Sequence, residues 1–471
     1  MVLHLGRSLG LPVQGEPRSH GLAPAHLLTH TVITGMTGSG KTGLVFVLAE
    51  EALRARVPVL MVDVKGDLAN LLLTPDPGDP AALLAWLDVA SPDPDLGTTP
   101  PALAQAQALC AARDEGLADA GITADDLQRF RRETHIRVLT PGSTAGEPVH
   151  LLSSLERRSP LWDADPEAAR DSLAAAVSLV LRLVGRDADP ARSREHVLLS
   201  VLAERRLCAG QPADLPSLLA DLDTPPIERV GAMAIDRFVS PKDRNTLAAA
   251  LNALVASPSF ASWREGTPLD VAAWLSPDAG PEPRRTPAVV LSVAHLDDDE
   301  RRLVLGLLLS ELLAYVRGLQ GTSSLRALVV LDEVYGLLPP HPANPPTKRP
   351  LVALMKQARA FGVGMVLATQ NPMDLDYRAL SNAGLWCIGR LQTDADRARV
   401  VDGLAHSDAF ATSAHSRAAL DDTIKRLGKR WFLVRNAHEG AQGTRLLRPR
   451  QTLAWLRGPL TRAELRKLTR G

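Results

Sequence analysis

The run Gly35-Met36-Thr37-Gly38-Ser39-Gly40-Lys41-Thr42 constrains this chain more than any other stretch of its 471 residues. It fits the pattern GxxxxGK[ST] and follows an apolar pair, Val32-Ile33. Behind it, Leu44, Val45, Leu48 and Ala52 recur at helical spacing. Next comes Val57-Pro58-Val59-Leu60-Met61-Val62-Asp63, an apolar stretch closed by a carboxylate. Strand, glycine turn, helix and strand form a βαβ unit, which calls for a parallel sheet covered by helices. A turn of this kind aims several backbone N–H groups at one point, and the helix behind it adds the positive end of its dipole. The oxygens of a triphosphate suit such a nest. Gly35, Thr37, Gly38, Ser39, Gly40, Lys41 and Thr42 are therefore the candidate phosphate-binding residues. Lys41 is expected to reach the β and γ phosphates and the Thr42 hydroxyl to ligate Mg²⁺. The bland alternative is a glycine-rich turn with no ligand.

Two later strands end in polar groups. Val329-Val330-Leu331-Asp332-Glu333 closes on two acids. A buried strand has no use for paired acids unless they serve something at its C-terminal edge, where open α/β sheets bind ligands. Asp332 suits Mg²⁺, directly or through water, and Glu333 suits orienting and deprotonating an attacking water. Val366-Leu367-Ala368-Thr369-Gln370 ends in an amide. Gln370 either senses the γ-phosphate or holds the lytic water, or is an ordinary turn residue. Asp63, in Asp63-Val64-Lys65-Gly66-Asp67, either lies beside the nucleotide or caps a turn. Phosphoryl transfer also needs a cation on the developing charge, often from an adjacent subunit. Arg359 and Arg390 are candidates because each flanks a core strand, at what is expected to be the active edge.

The remaining strand signals are Ile136–Leu139, Ala288–Val293, Leu385–Ile388 and Trp431–Val434. Strands alternating with helices over this length predict one doubly wound α/β core. The expected division is 1–158, the first part of the core with a Pro/Asp-rich loop between Thr74 and Pro101; 159–280, a helical insertion; 281–440, the rest of the core; and 441–471, a basic C-terminal tail. In the insertion Leu173, Val177, Val180, Leu181 and Val184 follow at helical spacing, and packing is its default role.

The formal net charge is zero, but it is unevenly spread. Asp63 to Asp126 holds 12 acidic against 2 basic residues, and Lys425 to Arg470 holds 13 basic against 2 acidic ones. The basic stretch either faces a polyanion such as DNA or forms a salt-bridged face, within the chain or against another subunit. Three dispersed cysteines, Cys110, Cys208 and Cys387, argue against a zinc module or disulfide framework and suit a reducing cytosol. Met1 to Gln14 carries no secretory pattern, and Leu303–Val316 is too short and too interrupted to cross a bilayer. A cytoplasmic protein with no membrane segment is expected.

Together these motifs resemble the HerA–FtsK group of ring ATPases, and within it the bacterial HerA-like proteins. The resemblance rests on Ile33 to Thr42, on Asp63-Val64-Lys65-Gly66-Asp67-Leu68, on Leu331-Asp332-Glu333, and on Ala358-Arg359-Ala360-Phe361-Gly362 leading to Ala368-Thr369-Gln370-Asn371-Pro372. Leu456 to Thr461 adds a weaker match. It implies a RecA-like core, a homo-hexamer, ATP with Mg²⁺ between subunits, double-stranded DNA as the substrate and, in some members, a partner nuclease. It also implies that Glu333 is the catalytic acid, Gln370 the sensor, and Arg359 the arginine preceding the sensor strand, acting in cis or in trans. The choice of ATP over GTP comes from the resemblance. Several DNA-translocating relatives carry an N-terminal β-barrel, and 34 residues precede Gly35 here. A DNA-stimulated ATPase motor is the leading expectation. A nucleotide-gated scaffold or regulator acting on a protein effector is the second, and a small-molecule phosphotransferase, for which no acceptor site or lid is visible, the third.

Overall fold

The computed structural model describes residues 2–11, 15–87, 101–159, 161–277, 285–370, 376, 380, 383–391, 393–405 and 417–470. Part of the Pro/Asp-rich loop (88–100) and Asn371-Pro372 lie outside them.

In chain order the strands are β1 (Leu3–Gly10), β2 (Arg18–Leu22), β3 (Thr31–Thr34), β4 (Val59–Asp63), β5 (Thr134–Pro141), β6 (Glu147–His150), β7 (Arg229–Val230), β8 (Met233–Ala234), β9 (Thr267–Pro268), β10 (Thr286–Ser292), β11 (Thr322–Asp332), β12 (Phe361–Thr369), β13 (Leu385–Ile388), β14 (Phe432–Asn436) and β15 (Thr444–Pro449). Among the described residues thirteen of them form one sheet in the order β2-β1-β15-β14-β13-β3-β12-β11-β4-β10-β5-β6-β9, and β7 and β8 pair as a separate ribbon. From β13 to β9 every neighbouring pair is parallel. From β13 outward through β14, β15, β1 and β2 the pairs are antiparallel. The expected doubly wound, mostly parallel core is therefore present.

Parallel strands buried on both faces need apolar residues on both, and these have them. Along β4, Leu60 and Val62 join one core while Val59 and Met61 join the other. β11 alternates likewise, with Val329 and Leu331 against Leu328 and Val330. One face is covered by helix α1 (Lys41–Arg54) together with the helices Pro101–Asp119 and Ala124–Glu133. Leu44, Val45 and Leu48 of α1 are fully buried, each worth roughly 1.5–3 kcal/mol. The other face carries the helices Pro166–Leu183, Arg194–Cys208 and Asp298–Arg317. Side chains at Asp165, Ser193 and Asp297 accept from first-turn N–H groups and so set where these helices begin. Among the described residues no helix is long and apolar enough to cross a membrane.

The antiparallel wing joins the two ends of the chain. β15 lies between β14 and β1, and the buried Arg450 just beyond it donates to Glu50 (2.8 Å) and Glu51 (2.9 Å) of α1 and to the carbonyl of His4 (3.2 Å). Residues 444–454 thus belong to the sheet and its core. Farther on, Asn70 donates to the Gly458 carbonyl, Arg457 to that of Trp86, and Lys467 lies over the Trp86 ring. The basic end of the sequence packs in part against its acidic stretch.

Candidate active site

Register decides which strand ends meet. Asp332 is level with Asp63 of β4 and with Ala368 of β12, and Thr369 of β12 is level with Thr34 of β3. Because these strands are parallel, the residues that follow each of them emerge on one edge. The glycine turn after β3, the acids closing β11 and the amide after β12 therefore share that edge, with β12 between the other two strands.

The turn itself is tight. Gly38 and Gly40 have φ of 76° and 100°, and a Cβ on Gly40 would lie 3.2 Å from the Arg430 side chain. Its ends are pinned by backbone bonds from Met36 N–H to the Arg390 carbonyl (2.8 Å) and from Arg430 N–H to the Ser39 carbonyl (3.0 Å). Lys41, buried at the start of α1, donates to the carbonyls of Gly35 and Met36. Burial, and secondarily the like charge of Lys65, push its ammonium down to about 8, with Glu333 and Asp332 opposing. An anion held by the turn would favour the charged form again.

Glu333 is held from four sides. Its backbone has φ of 75°, a left-handed conformation that costs a non-glycine residue about 1–3 kcal/mol and tends to mark functional sites. Its N–H bonds to the Ala368 carbonyl (3.0 Å). Oε1 accepts from the Thr369 hydroxyl (3.0 Å) and the Gln370 N–H (3.2 Å), and Oε2 accepts from the Lys65 ammonium (3.0 Å). Burial is the largest influence on this carboxyl and raises it, but Lys65 and the hydrogen bonds outweigh it and hold Glu333 below its ordinary value. Beside it, Asp332 is buried and pushed up, mainly by burial. Its Oδ2 has no hydrogen-bond partner among the described residues. Gln370 closes the ring by accepting, through Oε1, from the Thr37 hydroxyl at 2.5 Å.

Comparison with known proteins gives one partial family match and several structural ones. A family described as "Helicase HerA-like C-terminal" matches residues 14–85, the segment that carries the glycine turn and β4. VirB4 of Thermoanaerobacter pseudethanolicus superposes with a TM-score of 0.52 at 12% identity, covering 92% of this chain and 93% of that one. The bacterial conjugative coupling protein TrwBdeltaN70, in its unbound monoclinic form, gives 0.51 at 12% identity over 94% and 90%. Its trigonal form in complex with sulphate gives 0.51 at 13% over 93% and 89%. The likeness shows the fold: a large, mostly parallel α/β sheet with helical insertions, consistent with a RecA-like P-loop NTPase core. Comparison with curated proteins gives no match.

Within this fold the predicted residues divide into two groups. Lys41, Asp332, Glu333 and Gln370 come together with the turn Gly35–Gly40, and Thr42 follows Lys41 in the first turn of α1. Asp63 takes its turn role: it is fully buried and accepts from the N–H groups of Lys65, Gly66 and Leu68. Burial pushes its carboxyl up to about 7 against the Gly66 and Leu68 bonds. Arg359 is a correction. It sits in the short turn Ala358–Ala360 that enters β12, at the opposite end of that strand from Gln370. Nine strand residues at roughly 3.3 Å each put it on the order of 30 Å from the turn, so it does not flank this chain's own active edge. Arg390, by contrast, follows β13 at the active edge, with its carbonyl bonded to the glycine turn.

Sequence reasoning missed Lys65 and Thr369 as partners of Glu333. The signal for Lys65 was the pairing of β4 with β11, which sets the residues after Asp63 beside those after Asp332. That pairing joins segments 268 residues apart and is not local information.

The donor set fits Mg²⁺. A buried carboxylate oxygen with no hydrogen-bond partner among the described residues, next to a second acid and on the edge where the glycine turn leads into Thr42, suits a hard cation that keeps part of its water shell. Asp332 and Thr42 are the residues that would hold it.

Proposed function

We propose that this chain hydrolyses ATP at the edge shared by β3, β11 and β12, and that turnover drives movement of double-stranded DNA through a homo-hexameric ring. The observation that carries the hydrolytic part is the link from Thr37 to Gln370, whose backbone N–H also holds Glu333. It ties the phosphate-binding turn to the acid through two hydrogen bonds. Bound Mg²⁺, which Asp332 and Thr42 would hold, would supply charge neutralisation to the phosphates. The chain supplies the rest. Amides of Gly35–Gly40 and the Lys41 ammonium cradle the phosphates, and Asp332 with Thr42 holds the cation. Glu333 orients a water and takes its proton, while Gln370 reports the γ-phosphate to the turn through Thr37.

For the motor part the support is the likeness to VirB4 and to a conjugative coupling protein, and the match to a helicase-type family over residues 14–85. Arg359, exposed at the far edge, suits a cation delivered in trans to a neighbouring subunit's nucleotide. Mixing Arg359→Ala with Glu333→Gln subunits tests this. Each variant alone loses most of its steady-state activity, and the mixture regains part of it because some interfaces pair an intact arginine with an intact acid. A mixture as inactive as its components refutes the assignment.

A second reading is a nucleotide-gated scaffold for a protein effector, with no DNA moved. It is favoured by the packing of Arg457 and Lys467 against Trp86, which commits basic residues within the chain. ATPase rate with and without duplex DNA at low salt, beside mass measurement with nucleotide bound, separates the two. A DNA motor is stimulated, with steep salt dependence. An unchanged rate leaves the scaffold.

A further inference from the structure

We infer that Lys65 is a positioning residue for Glu333: its ammonium, 3.0 Å from Oε2, fixes the orientation of the carboxylate that acts on water. The inference rests on the hydrolytic reading above. An ionised carboxylate offers about four acceptor directions. Oε1 spends its two on the Thr369 hydroxyl and the Gln370 N–H. Oε2 spends one on Lys65, so the direction left for a water lies on Oε2, beside the ammonium. Without Lys65 one oxygen loses its anchor and the carboxylate can swing about the other. The pair is shielded, with side-chain exposures of 31% and 13%, so it is screened less than a surface pair.

Lys65 is itself aimed by structure. Its backbone N–H donates to Asp63 Oδ1, and buried Asp63 fixes the same turn through Gly66 and Leu68. A cation here weakens Glu333 as a base, which would be costly if basicity set the rate. Phosphoryl transfer leaves little covalent work to the protein and depends on placement and charge, so a firmly placed carboxylate with a positive neighbour is the better arrangement.

The test is Lys65→Met in the full-length chain, followed by steady-state ATPase and by binding of a non-hydrolysable ATP analogue. Lys65→Gln replaces it if the methionine variant does not fold. The expected result is a kcat lowered about 10- to 100-fold, with KM and analogue affinity within about twofold of the parent. Lys65→Arg restores part of the loss, since a guanidinium also pairs a carboxylate. In a Glu333→Gln background, single-turnover hydrolysis should fall less than about twofold on adding Lys65→Met, because the residue acts through the acid. An unchanged or raised kcat, a parallel loss of analogue affinity, or an equal loss in both backgrounds overturns the assignment. A parent chain that hydrolyses no ATP removes the hydrolytic reading and this role with it. A parent that does, with an unaltered Lys65→Met kcat, removes the role alone.

Discussion

Replacing Arg450 with methionine should unfold the antiparallel wing more readily, by an amount that depends on pH. The Arg450 guanidinium is fully buried and bonds Glu50, Glu51, and the carbonyls of His4 and Gln451. Glu50 is also fully buried, and burial pushes its carboxyl up even with Arg450 present. Methionine fills much of the space but leaves buried Glu50 without its cation and Glu51 with Arg54 alone. Breaking a buried pair from one side typically costs about 3–5 kcal/mol. Protonation caps the penalty. A glutamate of ordinary value 4.5 costs about 3 kcal/mol to keep protonated at pH 7, and under about 1 kcal/mol at pH 5. Glu51 keeps Arg54 and the His4 N–H, and Glu50 keeps the Ala454 N–H, so neither acid is stripped bare.

The expected loss is therefore about 3–5 kcal/mol at pH 7, shrinking markedly by pH 5. The sign follows from linkage. In the variant the folded-state value of Glu50, already raised in the parent, rises further above the unfolded one, so the folded variant takes up its proton at higher pH and the loss relative to the parent shrinks as pH falls. Urea unfolding followed by far-ultraviolet circular dichroism at both pH values measures it. Adding Glu50→Gln and Glu51→Gln should recover much of the loss at pH 7. A loss below about 1 kcal/mol at pH 7, or one equal at both pH values, would show that this cluster is not a buried ion network.

Two further outcomes follow from the same geometry. Gly40→Ala must hold φ near 100° with its Cβ against Arg430, a strain of about 1–3 kcal/mol, so ATP affinity should fall roughly 5- to 100-fold in a folded protein; calorimetry showing unchanged affinity refutes it. His30 is buried, accepts from the Met365 N–H, and is pushed down to about 4, chiefly by burial. It favours the folded state above pH 6.5 and loses that contribution as pH falls toward 4. His30→Asn keeps an acceptor and tolerates the φ of 63°, so its stability should be flatter than the parent's across that window; parallel melting-temperature profiles refute it.

Local pattern carried the elements whose signals are local. The glycine turn, the apolar runs of β4, β10, β11 and β12, and the spacing of Leu173, Val177 and Val180 each announce one element, and each is found. β1, β2 and β15 were missed for a physical reason. Leu3–Gly10 and Arg18–Leu22 lie in a chain segment with no neighbouring motif; the first pairs with residues 445–449 at the other end of the chain, and the second adds to the first as the edge strand. Arg450 was read as part of a basic tail because charge counts ignore partners, and its partners sit 400 residues away.

The same distinction explains the site. Asp332, Glu333 and Gln370 were legible because a polar residue closing a buried strand is anomalous on its face. Arg359 was misplaced because flanking a strand says nothing about which end is flanked; the direction of β12 settles that, and the acids of β11 mark the opposite end as the active edge. The segment around Lys65 was noted for its resemblance, but the pairing of Lys65 with Glu333 was invisible for the converse reason, since it arises solely through register. A lysine two residues after a strand is a surface residue until the adjacent parallel strand ends in a glutamate one residue past the same level. The pairing of Asp63 with Asp332 therefore does more than shape the sheet, since it fixes which cation meets the acid.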